Sequence, residues 1–119
     1  MDKQIAKNWA KALRSGKYKQ GKQGLRSLND KYCCIGVLCD IVFPNQWVEM
    51  TYAYAVKSEI YNQGILPRNV KTKAQINSSS FMKFEDNTGT ILSFVGLNDI
   101  AKKSFREIAD IIDANWETI

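Results

Sequence analysis

The eleven residues Cys33 to Phe43 carry one charge, Asp40, before Pro44 ends the run. No surface helix or half-exposed strand tolerates so many apolar side chains in a row, so this segment must be the buried element around which the rest is arranged. Its length favours a helix over a strand, since buried strands seldom exceed eight residues. Asp40 must then reach the rim of the core or find a partner, because an isolated buried carboxylate is costly.

The flanking sequence supplies the cover. From Asp2 to Ser15, Ile5, Trp9 and Leu13 recur every four residues with Ala6 and Ala10 beside them, the pattern of an amphipathic helix. Gly16 suits its C-terminal cap. Tyr18-Lys19-Gln20 and Leu25-Arg26-Ser27-Leu28 read as short strands joined in a hairpin by Gly21 to Gly24, with Asn29-Asp30 as a second turn. Asn45 to Ala55 alternates apolar and polar residues and is rich in aromatics, which predicts a strand or hairpin. Leu66-Pro67 opens a short helix over 68–74. Asn77 to Ser80 reads as a loop, and Phe81 to Phe84 and Thr90 to Phe94 as two strands about an Asp86-Asn87-Thr88-Gly89 turn. Ser104-Phe105-Arg106-Glu107 is a capping box, followed by an apolar stripe through Ile108, Ile111 and Ile112 to Trp116. A chain of 119 residues with 45% apolar content can bury one core. The expected architecture is therefore an α+β single domain over 1–119: an N-terminal amphipathic helix, short β-hairpins, a buried apolar central helix and a capped C-terminal helix.

Three cysteines, Cys33, Cys34 and Cys39, all fall in the apolar run. An odd, clustered set with no C-x-x-C is neither a disulfide framework nor a zinc site, and buried reduced thiols are expected. The chain has no histidine. That removes Ser-His-Asp and Cys-His nucleophile systems and most transition-metal sites, and no paired carboxylates replace them. No catalytic residue, metal ligand or cofactor is expected, and the protein is not expected to be an enzyme. No apolar run approaches the ~20 residues of a membrane span, and Met1 to Ala10 lacks a signal-peptide core, so the expected location is the cytoplasm with no membrane partner.

Charge is unevenly distributed. Residues 1–31 hold nine Lys or Arg against Asp2 and Asp30, whereas the remainder is slightly acidic. Lys3, Lys7, Lys11 and Arg14 form a stripe on the first helix that is either a solvated face or the contact for an anion or an acidic partner. Aromatic residues interleave with this basic segment. The candidate ligand-binding residues are Arg14, Tyr18, Lys19, Gln20 and Arg26, with Trp47 as a stacking platform and Asn98 as an amide able to read a base edge. Gly21-Lys22-Gln23-Gly24 lacks the spacing of a phosphate-binding loop and reads as a hairpin turn.

The segments Leu13-Arg14-Ser15-Gly16-Lys17-Tyr18-Lys19-Gln20-Gly21, Tyr32-Cys33-Cys34-Ile35-Gly36-Val37-Leu38-Cys39-Asp40, Leu97-Asn98-Asp99 and Ser104 to Ile112 resemble a widespread family of small phage and prophage proteins. Its pattern runs LRSGxYxQG, LR, YCCLGVLCD, LND, SFxEIADxI. The matching pieces cover about half of the chain, at its two ends; Asn45 to Phe94 matches little. Within that family the chain is similar to the tetrameric anti-CBASS sponges, phage proteins that bind cyclic dinucleotide immune signals such as 3′3′-cGAMP without cleaving them. The resemblance implies a cyclic dinucleotide ligand, a homotetramer and residence in the host cytoplasm. It transfers no ligand contacts to individual residues. The alternative is a small phage-encoded nucleic-acid-binding regulator, whose basic first helix would track phosphates and whose last helix would enter a groove. Asp110, Asp113 and Glu117 make that last helix acidic, which weighs against it. An oligomer is also suggested by size: a small chain has little room to enclose a cyclic dinucleotide, whereas subunit boundaries supply concave sites.

Overall fold

The computed structural model describes residues 1–60, 65–77, 84–85 and 91–119. The apolar run is a helix, α2 (Cys34–Val42), and Cys34 to Cys39 are all buried within it. Cys33 caps it: its Sγ accepts the Gly36 amide at 3.3 Å. The element before it, α1 (Lys3–Arg14), buries Ala6, Trp9, Ala10 and Leu13. Asp2 caps α1 by accepting the Ile5 amide at 2.8 Å. Trp9 is fully buried, and its indole N–H donates to the Cys34 carbonyl at 2.9 Å, so its polar atom is satisfied inside the core.

Short strands follow: β1 (Lys19–Gln20), β2 (Arg26–Ser27), β3 (Lys31–Tyr32), β4 (Trp47–Glu49) and β5 (Ala53–Val56). They form one sheet in the order β1-β3-β2-β5-β4. The expected hairpin between 18–20 and 25–28 does not form. β3 lies between these strands, parallel to β1 (Gln20 opposite Tyr32) and antiparallel to β2 (Arg26 opposite Tyr32). Two contacts stabilise this longer-range pairing. The Gly21 amide donates to the Tyr32 carbonyl at 2.7 Å, and the rings of Tyr18 and Tyr32 meet edge to face at 4.9 Å. The predicted hairpin after Asn45 is β4–β5.

A 3₁₀ turn (Lys57–Glu59) leads on to α3 (Arg68–Ala74), which starts after Pro67 as the sequence predicts. Strands β6 (Phe84–Glu85) and β7 (Ile91–Leu92) form a separate two-stranded pair. The rest of the predicted 81–84 strand, the Asp86 to Gly89 turn and Ser78 to Ser80 lie outside the described residues. Helix α4 (Phe94–Asp99) begins at the residue where the sequence predicts the end of a strand. Ser93 caps it, accepting the Gly96 amide at 3.1 Å, but a six-residue helix with an internal glycine shows no readable period. The last helix, α5 (Phe105–Asn115), has the predicted capping box, with Ser104 Oγ accepting the Glu107 amide and the Glu107 carboxylate accepting the Ser104 amide. The hydrogen bonds that Ser104 donates, first from its amide and then from its hydroxyl, hold the Glu107 carboxyl below its ordinary pKa.

The fold is thus α+β, with one continuous core. α1 lies along α5 and against α2, and α2 is also touched by α3 and α4. At Gly36 a Cβ would lie 1.8 Å from the Leu25 carbonyl oxygen, so only glycine lets α2 seat against the residue that leads into β2. Among the described residues no helix is long and apolar enough to cross a membrane.

Candidate functional site

The seven residues singled out in the sequence fall into four places. Arg14 faces α5 and makes ion pairs of 2.6 Å to Asp110 and 2.7 Å to Asp113. The acidic partner of the basic stripe, at this position, is the chain's own last helix. Lys19 is exposed on β1.

Gln20 and Asn98, 78 residues apart, form one latch. Gln20 Nε2 donates to Asn98 Oδ1 and to the Lys103 carbonyl, each at 2.8 Å, while its Oε1 accepts the Phe105 amide at 3.1 Å. Asn98 Nδ2 donates to the Gly21 carbonyl at 2.8 Å and to Asp99 Oδ1 at 2.7 Å. Asn98 is only 1% exposed. With every amide hydrogen engaged and its oxygen occupied, Asn98 has no donor left for a ligand. The Phe105 amide is one of the four that α5 leaves without a partner at its start, so Gln20 caps a helix from the edge of the sheet. The Leu97-Asn98-Asp99 and Gln20-Gly21 pieces are therefore two halves of one fastening.

Tyr18, Arg26 and Trp47 gather around Asp40. The Tyr18 hydroxyl donates to Asp40 Oδ2 at 2.5 Å and the Trp47 indole N–H to Asp40 Oδ1 at 2.9 Å. The charge in the apolar run thus finds partners at the rim. Tyr32, which bridges Tyr18 and Trp47 by edge contacts, is part of this cluster and was not among the candidates. Arg26 lies behind it. Its guanidinium stands 4.0 Å from the Tyr54 ring centre, 5.3 Å from that of Tyr32 and 5.4 Å from that of Trp47, and pairs with Asp30 at 2.7 Å. Arginine stacks well on aromatic faces, and this one is occupied within the chain rather than held out for a phosphate. Burial, reinforced by the hydrogen bond to Asp40, pushes the Tyr18 hydroxyl pKa well above its ordinary value; burial likewise raises that of Tyr32.

In front of this cluster a groove of about 480 Å³ opens between α1 and the C-terminal end of α2. Asn8, Lys11, Ala12 and Ser15 form one wall, and Asp40, Ile41 and Pro44 the other. Lys17 and Tyr18 close one end, with the Lys17 ammonium 5.3 Å from the Tyr18 ring centre. Among the described residues neither Lys11 nor Lys17 is in an ion pair. Small-molecule sites commonly occupy ~300–1,000 Å³, so the groove is large enough for one. It combines two free ammonium groups, a phenol, a fixed carboxylate and short apolar stretches. A larger cleft of about 850 Å³ between the 3₁₀ turn and α3, lined by Ser58, Glu59, Arg68 and Lys73 among others, has no aromatic ring among its described lining residues on which a base could stack.

All three cysteines are free and buried. Burial raises the thiol pKa of each, that of Cys33 to about 11, so they remain protonated and unreactive at neutral pH. Among the described residues no His, Cys, Asp or Glu group could hold a metal ion. α5 buries Phe105, Ile108, Ala109 and Ile112, while Asp110 remains on its exposed side. That surface is a poor match for a nucleic-acid backbone.

Residues 1–116 match the model of the family described as a domain of unknown function, DUF8296. The match spans nearly the whole chain, and the chain belongs to that family. No curated protein and no solved structure matches it.

Proposed function

We propose that this member of the DUF8296 family binds a cyclic dinucleotide of the 3′3′-cGAMP type and holds it without cleaving it, as a phage protein that sequesters a host immune signal in the host cytoplasm. The observation that carries this reading is the groove between α1 and α2, where the unpaired Lys11 and Lys17 stand beside Tyr18 and Asp40. Phosphates meet the two ammonium groups, and the apolar stretch of Ala12, Ile41 and Pro44 covers a base. Arg14 and Arg26 are already paired inside the chain and lie outside the lining of the groove.

The same reading makes the protein a homotetramer whose sites lie near subunit boundaries, since a groove on one small subunit leaves part of a cyclic dinucleotide uncovered. Leu28, 41% exposed, and Tyr52, 89% exposed, support an interface. The β2–β5 register, continued by one residue, sets them opposite each other at one end of the sheet. Light scattering at micromolar concentration is expected to give the mass of four subunits. A mass of one subunit with ligand present would remove the tetramer.

Calorimetric titration with 3′3′-cGAMP tests the ligand. The wild type is expected to bind in the micromolar range or tighter, and the Lys11→Ala/Lys17→Ala variant at least tenfold more weakly, or ~1.4 kcal/mol. Chromatography of the released ligand should return it intact. Binding should depend far less steeply on salt than association with duplex DNA. Absence of binding, or recovery of a cleaved product, would overturn the proposal.

A further inference from the structure

We infer that Asp40 reads the base in this groove and selects guanine over adenine. The inference rests on the nucleotide reading above and adds a specificity to it. Asp40 projects from α2 into the groove wall, and its carboxylate is held in place from two directions, by the Tyr18 hydroxyl at 2.5 Å on Oδ2 and the Trp47 indole at 2.9 Å on Oδ1. An ionised carboxylate oxygen accepts two hydrogen bonds, and among the described residues each Asp40 oxygen has one donor, so both oxygens keep accepting capacity for a donor pair. Asp40 has no ion pair among the described residues.

That arrangement calls for a ligand with two parallel N–H donors. A guanidinium or ammonium ligand has such donors, but Lys11 and Lys17 on the same groove repel a cation. The remaining chemistry is a neutral donor pair on a molecule that also carries negative charge. The guanine edge supplies it, with a ring N–H and an exocyclic amine spaced to match the two oxygens. Adenine presents one donor beside a ring nitrogen that accepts, and this nitrogen would face a carboxylate lone pair. Rejection therefore comes from repulsion as well as from a missing bond. The bonds from Tyr18 and Trp47 prevent the carboxylate from rotating away to accommodate adenine.

The test titrates the wild-type protein with cyclic di-GMP, cyclic di-IMP and cyclic di-AMP under one buffer. Cyclic di-GMP is expected to bind at least tenfold tighter than cyclic di-AMP. The inosine ligand, which lacks only the exocyclic amine, should fall between them. In Asp40→Asn the guanine preference should shrink to less than threefold. Because Asp40 also anchors Tyr18 and Trp47, the ligand series on the wild type decides the matter even if this variant does not fold. Equal affinity for all three ligands, or a preference for adenine, overturns the base-reading role while leaving nucleotide binding standing. Binding of none of the three overturns this inference, and absence of binding to 3′3′-cGAMP as well overturns the nucleotide reading with it.

Discussion

The latch around Asn98 and the groove around Asp40 are both built from polar side chains and do opposite things with them. In the latch, Gln20 and Asn98 direct all four amide hydrogens at acceptors of the chain itself. In the groove, among the described residues, Lys11 and Lys17 have no ion pair and Asp40 accepts two hydrogen bonds. A polar side chain next to a basic, aromatic segment is thus not by itself a ligand contact. What separates a fastening from a site is whether hydrogen-bonding capacity remains after the fold has formed.

The comparison can be broken first at α2, which carries Asp40 and packs against α4, the helix that carries Asn98. Gly36→Ala forces a Cβ onto the Leu25 carbonyl, a contact that backbone cannot relieve by rotating a side chain. It should cost more than the ~1–3 kcal/mol of ordinary overpacking and abolish cooperative unfolding, as read by circular dichroism on heating.

Asn98→Ala breaks the latch alone. It strands the Gly21 carbonyl and one Gln20 amide hydrogen, and a loss of about 2–3 kcal/mol in urea unfolding is expected, since each unsatisfied buried group costs ~1–3 kcal/mol. Whatever fraction stays folded should bind nucleotide as the wild type does. A loss of affinity in that fraction would mean that the latch also touches the ligand.

Tyr18→Phe perturbs the groove. It removes one hydrogen bond to a charged acceptor and should cost about 1–2 kcal/mol at neutral pH. It should also change the alkaline limb of the stability curve. The Tyr18 hydroxyl pKa is raised in the folded protein, so its contribution is fully present below the ordinary tyrosine value of 10.0 and is lost as pH climbs from there towards the folded value. In the variant that portion of the decline should vanish. The portion due to the buried thiols, which begins nearer their ordinary value of 9.0, should remain. Unfolding followed from pH 8 to 11 separates the two.

The smallest effect sharpens the contrast. Lys11→Ala/Lys17→Ala should leave urea stability within about 0.5 kcal/mol, because neither ammonium supports the fold, while weakening ligand binding tenfold. A loss of stability comparable to that of Asn98→Ala would mean the groove lysines are structural and would erase the distinction.

Much of the fold was legible in advance because it depends on local periodicity and local capping. The apolar run, the four-residue recurrence of Ile5, Trp9 and Leu13, and Ser104 with Glu107 each state their element within one or two turns. The exceptions depend on long-range pairing. A two-residue strand has no period, so nothing in Lys31-Tyr32 announced that it would separate β1 from β2. α4 was hidden for a similar reason.

For the candidate site, sequence alone determined the inventory: a basic aromatic N-terminal segment, one carboxylate in an apolar helix, no histidine and buried thiols. It named Tyr18 and Trp47, which the fold brings together on Asp40. It could not divide that inventory into used and unused groups. Arg14, Arg26 and Asn98 looked as available as Lys11 and Lys17, yet Arg14 is paired to residues 96 and 99 positions away and Asn98 to a glutamine 78 positions back. Hydrogen bonds and ion pairs are satisfied through space, over separations no local pattern encodes. Which polar atoms are left to face a ligand is therefore decided only when the helices and the sheet have closed on one another.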